Sequence, residues 1–333
     1  MSSAQASGDH ANSVARSVDD ASVEDVQARL VDAARGYATS TPLTSFGDLI
    51  RARNTAVDLV DRTNRPGQEA ELYLLLSQTS ALLACATLDL GYVAAAKQNA
   101  RAAYTYARVV SHPTAQAFAR AIQATIELWE PNPRRGVDYA TQGLSICPGG
   151  TVAVRLHAVA ARCVAAAGGD GATVEHHLTA AADARNESDD EMCDRTGGEF
   201  GFSLARTSFS AGAAYLAMGD GTRAAHAAEA ALSLYESEPA ADRWYGGEYG
   251  ARADLVAALV MAGDLEAAES RFEHLIGLPV PQRSERIVRR VNRLVRTLDK
   301  RSYAESPSAR RMVGMLRAFA ADNAQALVPA SSH

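Results

Sequence analysis

The chain has 333 residues, with 47% hydrophobic side chains, 6% aromatic ones and a formal net charge of −6. This composition excludes a disordered or fibrous polymer, and the mild acidity excludes a surface built throughout for nucleic acid. No stretch reaches the roughly 18 consecutive apolar residues of a membrane helix. The opening MSSAQASGDHANSVARS lacks the basic and apolar regions of a secretory leader, so cytoplasmic residence is the default expectation.

In chain order, residues 1–21 are poor in large apolar side chains and are expected to form a flexible lead. The ordered region is expected over 22–322, with a disordered tail over 323–333. A first clear helix is predicted from about Glu69 to Leu90, where Leu72, Leu75, Leu76, Thr79, Leu82, Leu83 and Ala86 recur at helical spacing before Gly91. Beyond it a phrase repeats: an Ala/Leu helix, a Gly-Asp or equivalent turn, and a second helix with small residues near its start. It occurs as LDLGYVAAA from Leu88, WEPNPRRGVDYA from Trp129, GGDGATVEHHL from Gly168, MGDGTRAAHAAEAAL from Met218 and AGDLEAAESRF from Ala262. Glycine ends one helix in a left-handed conformation and aspartate caps the next. No segment shows the period-two alternation of a strand.

Sixty-eight alanines, about a fifth of the chain, suit closely packed helices. The expected fold is all-α: a tetratricopeptide-like α-solenoid of about 12–14 antiparallel helices. The phrases resemble degenerate tetratricopeptide repeats, with spacing beyond the usual 34 or so residues and most of the early tryptophans missing. A second resemblance is more specific. LYLLLSQTSALLACATLDLG (Leu72 to Gly91), GGEFGFSLARTSFSAGAAYLAMGD (Gly197 to Asp220) and WYGGEYGARADLVAALVMAGDLEAAE (Trp244 to Glu269) are similar to the C-terminal sensory half of actinobacterial Xre-type helix-turn-helix regulators. VNRLVRTLDKRSYAESPSARRM (Val291 to Met312) fits the end of that half. The resemblance spans roughly residues 40–322. It implies a sensor module, with no compact helix-turn-helix in the residues ahead of it and hence no direct DNA binding expected from this chain.

Candidate site residues follow from irregular or aromatic-rich segments. The longest irregular run, NESDDEMCDRTGGEFGF (Asn186 to Phe202), does not have the ligand order of a calcium loop. A solvated acidic loop is the plain account of it. The sharper reading folds Glu199, Phe200 and Phe202 over a groove, with Arg206 as an anchor. In WYGGEYGARAD, Glu248 and Arg252 are four apart and predict an ion pair on one helix face, while Tyr245, Tyr249 and Arg252 suit the inner surface of a solenoid. Gln78 completes this candidate groove.

Other signals are weaker. His176 and His177 are adjacent and diverge by about 100° on a helix, so they cannot jointly chelate. Cys85, Cys147, Cys163 and Cys193 stand singly, as reduced and mostly buried thiols would. From Arg283 to Arg301 eight cations face two acids, yet Ile287, Val291, Leu294 and Leu298 form an apolar stripe, so a solvated basic face is expected. A phosphate contact or a dock for an acidic partner are the alternatives.

No nucleophilic triad, zinc motif, phosphate loop or dinucleotide fingerprint occurs, and neither cofactor nor metal is expected. The reading is a non-enzymatic regulatory or scaffold protein. A peptide, small metabolite or protein partner would occupy its concave face, no membrane is involved, and a homodimer is possible. The alternative is an enzyme of a natural-product pathway using the same groove, with Asp254, Glu248, Arg206 and Tyr245 around one cavity.

Overall fold

Proline and glycine punctuation sets the helix boundaries. In the computed structural model, which describes residues 18–185, 190–239, 243–300, 302–303 and 305–326, fifteen α-helices follow one another and no strand occurs among the described residues. They are α1 (Asp20–Gly36), α2 (Pro42–Val60), α3 (Pro66–Asp89), α4 (Val93–Val109), α5 (Pro113–Trp129), α6 (Pro133–Ile146), α7 (Gly150–Ala166), α8 (Gly171–Ala184), α9 (Glu191–Thr196), α10 (Leu204–Ala217), α11 (Gly221–Ser237), α12 (Tyr245–Met261), α13 (Leu265–Ile276), α14 (Glu285–Leu298) and α15 (Pro307–Ala326). The all-helical expectation holds. The count exceeds 12–14 chiefly because the acidic segment carries the short α9. The first helix begins at Asp20 rather than at 22, since Asp19 accepts a hydrogen bond from Ser22 N and caps it there. Most of the lead, 1–17, and most of the tail, 327–333, lie outside the described residues, as do residues 186–189 of the acidic run.

The recurring phrase has a definite geometry. Gly91, Gly168, Gly219 and Gly263 have φ between 74° and 84°. The backbone N–H groups of Tyr92, Gly169, Asp220 and Asp264 reach back to the carbonyls of Thr87, Val164, Tyr215 and Leu259 at 2.8–3.0 Å, the Schellman closure of a helix. Asp170, Asp220 and Asp264 then cap the next helices by accepting from Thr173, Arg223 and Ala267 N–H groups. Ser111 ends α4 in the same left-handed conformation, φ 52°, without being glycine.

Six helices, α3, α5, α7, α10, α12 and α14, pack side by side as one layer. A second layer, α4, α6, α8, α11 and α13, lies against them, with α15 on α13 and α14 and with α1 and α2 on α3. Alanine makes the close approaches possible: the buried face of α4 is Ala96, Ala100, Ala103 and Ala107, all fully buried. α14 also reaches α3, so the end of the row meets its beginning. Helix α3 has the length and apolarity to cross a bilayer, but 83% of its most apolar window is buried in protein; it is a core helix here.

Candidate functional site

Where the inner layer converges, apolar packing gives way to buried charge. The main apolar core joins α1–α7 and a second joins α12–α15. Between them lies a set of guanidinium and carboxylate groups held by aromatic rings.

Glu199 stands at its centre. The backbone turns through Gly197 and Gly198, with φ of 66° and 57°, and a Cβ on Gly198 would lie 2.1 Å from Ala34 O. Only glycine fits against α1 there. That turn delivers the Glu199 N–H to Ala34 O at 2.9 Å. The Glu199 carboxylate is 3.5 Å from Arg155 and 3.0 Å from Arg206. Arg155 also donates to the Glu199 and Gly201 carbonyls and stacks on Phe118 and Phe202. Burial pushes the Glu199 carboxyl up, and Arg206, Arg155 and Arg286 outweigh it and hold it below its ordinary value. Phe200 is fully buried against Phe118, ring centroids 4.8 Å apart. The Glu199–Phe202 segment is therefore an interior element, whereas the sequence suggests a lid.

The basic helix α14 departs from expectation in the same direction. Arg286 forms a bidentate pair with Asp89 at 2.5 and 2.6 Å, and Tyr37 OH donates to the same carboxylate at 2.7 Å. Arg290 donates to Asp254 at 3.1 Å between the rings of Trp129 and Phe209, each 4.9 Å away. Arg289 donates to Trp129 O. Arg283 caps the Phe319 carbonyl of α15. Only part of this face is solvated: Arg293 and Arg296 are exposed. Burial works against the Arg286 charge, but Asp89 more than offsets it and raises its pKa; for Arg290 burial wins and lowers it.

Arg162 of α7 joins this group. It lines a cavity of about 30 Å³ with Trp129, Phe209, Trp244, Tyr245, Arg286 and Arg290. A far larger cavity, about 660 Å³, opens between α1, α3, α9 and the N-terminal ends of α5 and α7. Gln78, Leu75, Met192, Asp190, Thr114 and Cys147 contribute to its walls. Gln78 is 8% exposed and its amide has no hydrogen-bond partner among the described residues, whereas Asp190 is occupied by the Cys193 and Val152 N–H groups.

The sequence-predicted residues are thus divided. Glu199, Phe200, Phe202 and Arg206 cluster in the interior, and Phe202 and Arg206 also border a third cavity, of about 390 Å³. Tyr245 faces the arginine-lined cavity. Glu248 and Arg252 form the predicted ion pair at 2.6 Å, but Arg252 faces a groove between α11, α12 and α13. Tyr249 packs against the second core, its ring 5.6 Å from the Arg252 guanidinium. Of these residues, Gln78 alone lines the cavity of about 660 Å³. The four residues of the enzyme alternative are not assembled: Asp254 is taken by Arg290, Glu248 by Arg252 and Arg206 by Glu199.

Asp89, Arg162, Arg286 and Arg290 are not among the sequence-predicted site residues. A signal was present, since Arg155 and Arg162 stand alone among apolar residues in VAVRLHAVAARCVAAA, a context in which a charge must find an interior partner. His157 pairs with His177 rather than His176 doing so, Nδ1 to Nδ1 at 3.0 Å. No group of three metal-ligating side chains occurs among the described residues, and all four cysteines are free thiols, Cys147 half-buried and the others buried. No protein-family model matches this sequence, and no curated protein matches it.

Proposed function

We propose that this chain is a non-enzymatic regulatory or scaffold protein, a tetratricopeptide-like sensor module that takes a peptide or small metabolite into the cavity against Gln78. The observation that carries this reading is Gln78: a residue only 8% exposed, whose amide has no hydrogen-bond partner among the described residues and forms part of the wall of a cavity of about 660 Å³. The Gln78 amide opens onto the cavity rather than being sealed from solvent, so a ligand offering one donor and one acceptor can meet it there. The volume lies within the usual range for small-molecule sites, roughly 300–1,000 Å³. Support comes also from the repeated Gly-Asp hairpins and from the resemblance to regulator sensor halves. Asp89, Glu199, Glu248 and Asp254 are each already tied to an arginine, which favours binding over catalysis. Ligand contacts reaching α1, α3, α5 and α7 together would bias small rotations between hairpins and so report occupancy to a protein partner or a second copy in the cytoplasm.

The test is a thermal-shift screen of peptides and metabolites on the wild-type chain and on Gln78→Leu, followed by calorimetric titration of hits. The expected result is a ligand that stabilises the wild type and binds the variant at least about tenfold more weakly, one lost hydrogen-bonded contact being worth roughly that much. Hits that bind Gln78→Leu equally well, or turnover of a screened compound, would overturn the reading.

A further inference from the structure

Charge is unevenly spread along the chain. Between Tyr92 and Gly149 the sequence holds six lysine and arginine residues against three acids, in a chain whose net charge is −6. Two of those acids are already taken: Glu127 is buried, and it and Glu130 both meet Lys97 at 3.5 Å. Asp138 is the one exposed carboxylate of α4, α5 and α6. The remaining cations gather on one outward face. α4 and α6 both pack on α5 but scarcely touch each other. Arg120 of α5 rises between them, its guanidinium carbon 3.7 Å from the Tyr104 ring of α4 and 5.2 Å from the Tyr139 ring of α6. It also donates to Gln123 at 2.8 Å. Arg101 and Arg108 lie one turn before and one to two turns around Tyr104 on the same side of α4, and Arg135 donates to the Tyr139 hydroxyl at 2.9 Å. Arg101, Arg108, Arg134 and Arg135 are exposed. Arg135 Nε is 4.0 Å from the buried Glu127, whereas the other three make no ion pair among the described residues.

We propose that this face docks an acidic segment of a protein partner. Its carboxylates would meet Arg101 and Arg108 on α4 and Arg134 and Arg135 on α6, with Arg120 fixed between the two sets. A guanidinium fork matches the two oxygens of a carboxylate, and every cation of this face is an arginine. Held by two rings and Gln123, Arg120 loses little freedom when an anion arrives. The same rings argue against a single-stranded nucleic acid, which needs aromatic faces open for its bases. Here Arg120 lies over both rings and Arg135 over that of Tyr139. A lipid surface would need apolar side chains to insert beside the charges, and on these three helices Val109 alone is a strongly exposed large apolar residue. None of the residues of this face lines the Gln78 cavity, so the dock stands or falls independently of the ligand proposed there.

The probe is a fluorescein-labelled decaglutamate peptide, titrated into the full chain at low ionic strength and followed by fluorescence anisotropy. Saturable binding of one peptide per chain is expected, and it weakens as salt is raised to about 0.15 M. Arg101→Gln combined with Arg108→Gln removes two exposed charges without touching the core. It is expected to weaken binding about fivefold, each exposed contact contributing roughly a factor of two to three. Arg293→Gln combined with Arg296→Gln removes the same charge from the exposed side of α14 and leaves the affinity as in the wild type. Equal weakening by the two double variants would show that overall charge alone drives the contact and would overturn the proposal. So would failure of the peptide to bind the wild type at low salt. Decathymidylate and phosphatidylserine vesicles are the competing probes: tighter binding of either than of the peptide, lost with Arg101 and Arg108, would give the face to a nucleic acid or a membrane instead.

Discussion

Replacing Asp89 by asparagine tests the junction between α3 and α14. The carboxylate is 6% exposed and accepts from Arg286 Nε, Arg286 Nη2 and Tyr37 OH at 2.5, 2.6 and 2.7 Å. Asparagine preserves the volume and one acceptor oxygen but leaves the Arg286 guanidinium buried without a counter-charge. Breaking a buried pair by removing one partner costs about 3–5 kcal/mol. With one acceptor retained, the lower end applies, about 3 kcal/mol. In a chain of this size that lowers the midpoint of thermal unfolding by roughly 4–5 °C. Urea denaturation followed by circular dichroism measures the loss directly. Asp89→Asn combined with Arg286→Met removes the stranded charge and is expected to recover about half of it, a coupling of at least about 1.5 kcal/mol. A loss below about 1 kcal/mol in the single variant, or losses that simply add in the double variant, would refute this account of the junction.

Three further outcomes follow from local geometry. Gly198→Ala places a Cβ against the Ala34 carbonyl at a positive φ and is expected to cost about 3 kcal/mol or more, whereas Gly197→Ala, with open space around it, costs about 1 kcal/mol; urea midpoints of the two variants separate steric from conformational strain. Ser111→Gly relieves the left-handed φ of 52° and is expected to stabilise the chain by about 0.5 kcal/mol, read as a raised urea midpoint. His157 is depressed from 6.5 to about 4 by burial and by His177 and His176, so the unfolded chain takes up the proton first as pH falls. The stability this neutral ring contributes is complete above about pH 6.5 and lost on acidification toward pH 4. Because the ring is only half-buried the loss is discounted to about 1 kcal/mol, and His157→Gln should remove that part of the pH slope in denaturation curves.

The helical class and the turn chemistry were legible because they are local. Gly219 followed by Asp220, or Gly263 followed by Asp264, declares a helix end and a cap within two residues. The Glu248–Arg252 pair was legible for the same reason, being one turn apart. The interior was not, because its contacts join residues far apart in sequence. Arg286 and Arg290 belong to a run that reads as a solvated face, and only the docking of α14 beside α3 and α12 turns two of those side chains inward. Glu199, Phe200 and Phe202 stood out as aromatic and acidic residues in an irregular segment. Nothing local announces that Gly198 lets that segment pass beneath α1 rather than over a groove. Gln78 lies within an apolar run whose periodicity places it on α3 but says nothing of the cavity beside it.

The clasp between Asp89 and Arg286 spans 197 positions of the chain, which has a consequence for synthesis. At about 5–20 residues per second, α3 leaves the ribosome roughly 10–40 s before the helix that neutralises it. During that interval the nascent hairpins can stack on one another, but Asp89 has only Tyr37 to meet, and the inner face of the row remains open to water. Closure therefore waits until α14 has been synthesised, and truncation before α14 would leave that face exposed.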